Sequence, residues 1–177
     1  GLLLIFFLCM IDIKFIFKFA YPIFFLNILV LALIPFIGTE TFGATRWIKI
    51  GGISLQPSEF VKYTLILALA KYYHSIQDAN INSLSKLLIP AVFVIVPTII
   101  VFIQPDLGTA LVIALGSLSI FWAAGLSYRY FISGGLIGLL SIPIAWQFLR
   151  GYQKERVFTF FNPERDPLGN GYHILQS

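Results

Sequence analysis

The chain has 177 residues, of which 58% are hydrophobic and 11% are charged, and its mean hydropathy is +0.88. Soluble domains carry roughly a quarter charged residues, so this composition excludes a water-soluble globular protein and indicates a polytopic membrane protein. The formal net charge of +4 is small and scattered, which argues against a nucleic-acid partner. Cys9 is the only cysteine, so neither a disulfide framework nor a cysteine-ligated metal site is expected.

The apolar runs of the sequence predict transmembrane helices, since a membrane-crossing helix needs about 20 mainly apolar residues. Residues 1–11 look like the end of one helix, and Asp12, Lys14 and Lys18 predict a short loop after it. Five further runs follow, over 19–37, 57–73, 87–104, 107–126 and 129–149. A Gly-rich mixed segment separates the first of these five runs from the second. The predicted fold class is therefore all-α, a polytopic membrane helical bundle with about six to seven helices in this chain.

Three prolines lie inside the predicted helices over 87–104 and 129–149. Pro90, Pro97 and Pro143 are expected to kink them. Membrane helices tolerate such prolines because neighbouring groups satisfy the carbonyls that proline leaves without a donor.

The positive charges predict how the bundle is oriented. If successive runs alternate in direction, one side receives cations that lie mostly in short loops: Lys14, Lys18, Lys71, Lys86 and Arg129. The positive-inside rule makes that side cytoplasmic. The outer side then carries Arg46, Lys49 and the cations of residues 150–177. Long loops translocate largely regardless of charge, but these cations also fit an anionic partner at the outer face.

Residues 150–177 form the only long polar segment. Loops of this length are usually functional or disordered, and the interleaved aromatic rings favour an ordered loop because they give it apolar surface to bury. We predict a large extracytoplasmic loop that lies on the membrane surface and holds the chemistry. Because Gly1 opens inside an apolar run without an initiator Met, residues 1–177 are expected to be one membrane domain truncated at both ends.

Two outward-facing helix starts share one layout, Gln-Pro followed by an acid. In the first, Glu59 is placed where the helix macrodipole favours an acid, and Lys62 follows at the i,i+3 spacing of an ion pair. In the second, Asp106 directly follows Pro105. Charges near a membrane tend to mark function, although both acids would also serve as simple helix-start charges and Lys62 as a snorkelling lysine.

A third outward-facing segment is basic and aromatic. Arg46 and Lys49 flank Trp47, a ring of the kind that collects at membrane interfaces. The segment therefore predicts either a contact to an anionic headgroup or only a residue of the aromatic belt.

Three motifs, in this order and spacing, resemble the SEDS family (shape, elongation, division and sporulation): GATRWIKIGGISLQPSEFVK, QPDLGTALV and NPERDPLGNGYHILQS. The resemblance covers essentially the whole chain, and three motifs in register make it highly specific. In the last motif, His173 after Tyr172 favours the elongation member of the family over the division member, which tends to have Gln at that place.

The resemblance implies a ten-helix, multi-pass protein of the bacterial inner membrane, of which this chain would supply the second helix through the large loop after the seventh. It implies a glycosyltransferase that polymerises lipid II into peptidoglycan glycan strands for cell elongation and rod shape. The implied partners are lipid II, a class B penicillin-binding protein and membrane lipids.

The resemblance also makes Asp166 the catalytic acidic residue of the loop, and we predict that it acts as the base that takes the proton from the attacking sugar hydroxyl. The departing lipid pyrophosphate needs fixed cations or a divalent metal ion, and no other cofactor is predicted. The predicted substrate-binding residues are those near the three sites and in the loop: Arg46, Trp47, Lys49, Glu59, Lys62, Asp106, Arg156 and Arg165.

Two other functions use the same residues differently. A lipid II flippase would guide the lipid across the membrane without bond chemistry, and it would need charges along a path through the bundle. A scaffold that only recruits a penicillin-binding protein would not need an acid beside a cluster of cations.

Overall fold

A computed structural model describes residues 12–41, 44–50, 53–76, 81–104, 106–149 and 151–161. In chain order its elements are α1 (Ile13–Ile37), β1 (Thr39–Thr41), β2 (Ala44–Ile50), β3 (Ile53–Leu55), α2 (Pro57–Ser75), α3 (Leu84–Ile103), α4 (Leu107–Ala123), α5 (Tyr128–Phe148) and α6 (Gly151–Phe161). They divide into two compact units, Gly1–Ser127 and Tyr128–Ser177. The predicted helical membrane bundle is confirmed, and α1, α3 and α5 are each long and apolar enough to cross a membrane.

Helix α2 is the centre of the first unit and contacts α1, α3 and α4. Val61, Leu65, Ala68 and Leu69 recur at helical spacing along it and are all 0–1% exposed. Helices α1 and α3 instead leave many large apolar side chains exposed, as a lipid-facing surface requires. Because α2 faces other helices, it can carry Lys71 and the charges of its first turns while being less apolar than its neighbours.

The start of α1 differs from the prediction. Asp12, Lys14 and Lys18 do not form a loop, because Asp12 is the N-cap of a helix that begins at Ile13 rather than at residue 19. The Asp12 side chain accepts a hydrogen bond of 2.9 Å from the backbone N–H of Lys14, which satisfies one of the free donors of the first turn. Both lysines fit within the helix because their long stems let the ammonium groups reach the surface.

The mixed segment between α1 and α2 is a small antiparallel sheet in the order β1-β2-β3, which the sequence analysis did not predict. Thr39 is opposite Trp47 in the first pair, and Ile48 is opposite Leu55 in the second. The sequence did carry a signal for the second pair. Two β-branched runs separated by Gly-Gly are typical of a hairpin with a two-residue turn.

Prolines inside α1 and α3 leave carbonyls free, and side chains of neighbouring helices donate to three of these carbonyls. A proline at position i cannot donate to the carbonyl of residue i−4. Lys71 Nζ lies 3.4 Å from the Lys18 carbonyl, which Pro22 leaves free. Gln104 Nε2 lies 2.7 Å from the Leu31 carbonyl, which Pro35 leaves free. Tyr72 Oη lies 2.8 Å from the Lys86 carbonyl, which Pro90 leaves free. The prediction that neighbours satisfy such carbonyls is confirmed for Pro90, and for Pro97 and Pro143 it stays a prediction.

Helix α4 ends earlier than the predicted residue 126. Gly125 has a φ of 86°, a left-handed conformation that suits glycine. The N–H of Gly125 bonds to the carbonyl of Trp122, and that of Leu126 to the carbonyl of Phe121, which is the hydrogen-bond pattern of a Schellman motif.

The second unit contains α5 and α6. Residues 150–177 are predicted to be a loop, but the structure has a helix over Gly151–Phe161, and residues 162–177 lie outside the described residues. Within this unit the Phe158 ring packs edge-on against Trp146, with ring centroids 5.5 Å apart, and Lys154 Nζ lies 6.0 Å from the centre of the Trp146 ring. These contacts give α6 the aromatic anchoring on which the prediction of an ordered segment rests.

Candidate functional site

Polar residues from three distant segments meet at one end of the first unit. We call this group the Asp106 cluster, and it consists of Arg46 in β2, Gln56 at the start of α2, and Asp106 and Thr109 at the start of α4. Gln56 and Asp106 are the N-caps of their helices and Arg46 lies within β2, and the fold collects them at the same surface.

Asp106 is the centre of the cluster and is 9% exposed. It is the N-cap of α4: its Oδ1 accepts from the Thr109 N–H at 3.3 Å, and its Oδ2 accepts from the Thr109 hydroxyl at 3.0 Å. Gln56 Nε2 donates to Oδ2 at 2.8 Å, and Arg46 Nη1 lies 3.6 Å from Oδ1. A carboxylate has about four acceptor positions, and described residues fill three of them by hydrogen bonds, while Arg46 is an ion-pair partner beyond hydrogen-bond distance.

Arg46 is held at the edge of the protein with its charge largely shielded from solvent. Its side chain is 18% exposed, and Asp106 is its ion-pair partner. Its Nε is buried and has no hydrogen-bond partner among the described residues. A guanidinium has five N–H donors in a fixed fork, and its described ion pair with Asp106 is a single Nη1 contact at 3.6 Å, so donors stay available to a ligand.

Glu59 and Lys62 form the predicted i,i+3 ion pair in the first turns of α2. Lys62 Nζ lies 2.9 Å from one carboxylate oxygen and 2.8 Å from the other. The Glu59 side chain is 48% exposed and that of Lys62 22%. The pair lies near Gln56 in the chain, but no described contact joins it to Asp106.

Trp47 and Lys49 belong to the same strand as Arg46. Trp47 and Lys49 are two residues apart and share a face. The register shifts at Arg46, because Thr39 is opposite Trp47 while Glu40 is opposite Thr45, and such an irregularity re-aims a side chain. Trp47 is half-buried, and its carbonyl accepts a hydrogen bond of 3.1 Å from the Thr39 hydroxyl. Lys49 is exposed. The structure brings together Arg46 and Asp106, and no described contact joins Lys49 to them.

The predicted loop residues are only partly covered. Arg156 belongs to α6, and its side chain is outside the described part of the chain. Arg165 and Asp166 both lie outside the described residues. Within the described ranges, no group of three or more His, Cys, Asp or Glu side chains could hold a metal ion.

Gln56, Gln104 and Thr109 are site residues that sequence reasoning did not single out. The two glutamines open the two matching Gln-Pro motifs, and that repetition was the available signal. The motif alone does not show that Gln56 donates to an acid 50 residues away, or that Gln104 donates to the backbone of α1.

The opposite end of the first unit gathers lysines. Lys71 Nζ reaches the Lys18 carbonyl, and it also lies 4.6 Å from the centre of the Tyr21 ring. Tyr72 bonds to the Lys86 carbonyl at the same end. These contacts place Lys18, Lys71 and Lys86 together, as the alternation of the predicted helices requires.

Comparisons with known proteins identify the family. The sequence profile of the FtsW, RodA and SpoVE family, described as "Cell cycle protein", matches residues 1–177. The chain therefore belongs to the FtsW/RodA/SpoVE, or SEDS, family, and it is a multi-pass membrane protein. The resemblance predicted from the three motifs is confirmed.

Curated relatives match over most of this chain. It is 38% identical over 151 residues to the peptidoglycan glycosyltransferase MrdB of Escherichia coli (strain K12), covering 85% of this chain and 40% of that protein. It is 37% identical to the stage V sporulation protein E of Bacillus subtilis (strain 168), with coverages of 85% and 41%. A probable peptidoglycan glycosyltransferase FtsW of Trichlorobacter lovleyi is 36% identical over 163 residues, with coverages of 90% and 42%. The chain thus spans about two fifths of the length of these relatives.

Solved structures share the fold. One comes from a study described as "Structural coordination of polymerization and crosslinking by a peptidoglycan synthase complex"; it has a TM-score of 0.79 and 35% identity, covering 99% of this chain and 52% of that one. The rod shape determining protein RodA of Thermus thermophilus has a TM-score of 0.66 and 33% identity, with coverages of 79% and 46%.

Proposed function

We propose that the whole protein is a glycosyltransferase that polymerises lipid II into peptidoglycan glycan strands at the outer face of the bacterial inner membrane. The observation that carries this proposal is the Asp106 cluster, in which an apolar bundle holds a shielded guanidinium at one of its ends. The names of the relatives, two of them glycosyltransferases of peptidoglycan, support the same reaction class.

The reaction explains why a shielded arginine is useful. A sugar hydroxyl attacks C1 of a second sugar, and the bond from C1 to the lipid pyrophosphate breaks, so negative charge develops on the departing diphosphate. Donors that are fixed before the reaction stabilise such charge without reorganising. Arg46 fits this role because it is largely shielded from solvent and has Asp106 as its ion-pair partner, and arginine can hold a phosphate in a bidentate manner.

Asp106 itself is better suited to hold Arg46 than to take a proton, because it already accepts three hydrogen bonds and has Arg46 as its ion-pair partner. The base is assigned to Asp166 on the resemblance, and Arg156 and Arg165 are assigned to the diphosphate together with Arg46. Lys49 and Trp47 share one face of β2, where they would meet a different part of the lipid headgroup. The Glu59–Lys62 pair would contact substrate as an exposed polar pair beside Gln56, and a divalent cation would assist the leaving group if one is used.

The partner we propose is a class B penicillin-binding protein. The support is the fold shared with a chain of a peptidoglycan synthase complex that coordinates polymerisation and crosslinking. We assign the protein to cell elongation and rod shape on the strength of His173 in the last motif, while relatives named for division and for sporulation match at similar identity.

Purified full-length protein given lipid II in detergent tests the reaction. The polymerase makes glycan strands that are long enough to resolve on a gel. A flippase makes none but moves fluorescent lipid II across a vesicle bilayer, and a scaffold does neither. Folded, monodisperse protein that produces no strands under conditions where a known polymerase does would contradict the proposal.

A further inference from the structure

The turn between α3 and α4 is tied to the backbone of α1 by one side chain. Gln104, which is 6% exposed, donates from Nε2 to the Leu31 carbonyl at 2.7 Å. Leu31 is fully buried. Its carbonyl would ordinarily accept from residue 35, but Pro35 has no N–H. The proline therefore creates the acceptor that Gln104 uses.

Gln104 is also two residues from the centre of the Asp106 cluster. It is the C-cap of α3, where its N–H bonds to the Ile100 carbonyl at 3.2 Å. The N–H of Asp106 bonds to the Val101 carbonyl, also at 3.2 Å. The turn is thus held to α3 by its backbone and to α1 by the Gln104 side chain, and Asp106 in turn holds Arg46.

We propose that Gln104 is a positioning residue for the reaction: through the carbonyl that Pro35 frees, it fixes the turn that presents Asp106 and so fixes the guanidinium of Arg46. This inference rests on the proposed function. The bond does two separable things, because it satisfies a buried carbonyl, which stabilises the fold, and it tethers the turn, which sets the geometry of the cluster.

Replacing Pro35 separates these two effects. In Gln104→Leu the Leu31 carbonyl loses its partner and the turn loses its tether. In Pro35→Ala/Gln104→Leu the new N–H of residue 35 can donate to the Leu31 carbonyl, as in an uninterrupted helix, while the turn is still untethered. Pro35→Ala alone keeps both, since a carbonyl has two lone pairs.

The experiment measures two quantities on the full-length protein in detergent: the midpoint of thermal unfolding, and the turnover of lipid II at saturating substrate. The matched control is Asn27→Leu, which removes a half-buried amide between two helices. Asn27 Nδ2 donates to the Thr64 hydroxyl at 3.4 Å. The substitution affects neither a carbonyl that a proline leaves free nor the turn. Turnover is expressed per folded molecule.

We expect Gln104→Leu to lower both the midpoint and the turnover, and the double variant to recover the midpoint but not the turnover. A displacement of about 1 Å at a reacting group can cost about a hundredfold in rate, and we expect a loss of roughly tenfold or more that persists in the double variant. Asn27→Leu and Pro35→Ala should each retain near-normal turnover.

Four results would overturn the inference. If the double variant recovers both quantities, Gln104 only satisfies the carbonyl and does not position the site. If the midpoint does not recover in the double variant, the assignment of Gln104 as the donor to the Leu31 carbonyl is wrong. The same assignment is wrong if Gln104→Leu changes neither the midpoint nor the turnover. If the unmutated protein makes no strands, the proposed function fails and the positioning role fails with it, while the midpoints still decide whether Gln104 compensates for Pro35.

Discussion

Two neighbouring tyrosines of α2 allow a closely controlled test of the proline compensation described above. Tyr72 donates to the Lys86 carbonyl at 2.8 Å, and Pro90 leaves that carbonyl without its helical donor. The hydroxyl of Tyr73 is buried and has no hydrogen-bond partner among the described residues. The variants Tyr72→Phe and Tyr73→Phe therefore remove the same atom from adjacent residues, one paired and one not.

The two substitutions are expected to change stability in different directions. Leaving a buried acceptor without a partner costs about 1–3 kcal/mol, whereas hydrogen bonds between membrane helices average about 0.6 and reach about 1.7 kcal/mol. Because Pro90 removes the backbone alternative and Lys86 is half-buried, we expect Tyr72→Phe to destabilise the protein by about 1–2 kcal/mol. Removing an unpaired buried hydroxyl saves its desolvation cost, so Tyr73→Phe should be neutral or stabilising.

The assay is the midpoint of thermal unfolding of each variant in the same detergent, with Pro90→Ala combined with Tyr72→Phe as a third variant. Alanine at position 90 supplies the missing N–H, so the third variant should recover stability relative to Tyr72→Phe alone. Equal midpoints for the two tyrosine variants, or no recovery with Pro90→Ala, would refute the idea that Tyr72 matters because of the freed carbonyl.

Two further predictions concern orientation and substrate contact. A single cysteine introduced at Asn80, within the predicted cytoplasmic segment 74–86, should resist an impermeant thiol reagent added outside. Cysteines in 43–56 and 150–177 should react with it. Labelling of position 80 from outside would reverse the predicted orientation. Arg46→Ala should reduce lipid II turnover more than it lowers the unfolding midpoint. Arg46→Lys should retain only part of the turnover because a lysine cannot form the same bidentate contact. Unchanged turnover in both variants would remove Arg46 from the substrate site.

Most helices follow directly from the sequence because membrane lipid imposes length and apolarity on the chain. The helix predicted over 57–73 is observed over Pro57–Ser75, and the helix predicted over 87–104 is observed over Leu84–Ile103. The start of α1 was misplaced because two lysines suggested a loop, whereas a capping Asp12 and long lysine stems let the helix begin earlier. Charge alone therefore did not mark the helix boundary.

The small sheet and the clusters were harder to predict, for a different physical reason. Strand pairing and side-chain contacts depend on residues far apart in the chain, and Gln56 meets Asp106 across 50 residues. The sequence singled out Arg46 and Asp106 separately. Nothing in it shows that the Asp106 carboxylate accepts three hydrogen bonds or that Arg46 is its ion-pair partner. Tertiary packing decided those contacts.

The central claim is that this family member polymerises glycan strands with Asp166 as the base. The most direct measurement compares unmutated full-length protein with Asp166→Asn in the lipid II assay, with unfolding midpoint and binding to the penicillin-binding protein as controls. Asparagine keeps the size and the turn-forming hydrogen bonds of aspartate but cannot take the proton. We expect normal folding and partner binding with no strands, since a general base contributes typically about 10²–10⁴-fold in rate. Retention of more than about a tenth of the activity, a smaller loss than the low end of that range, would contradict this assignment.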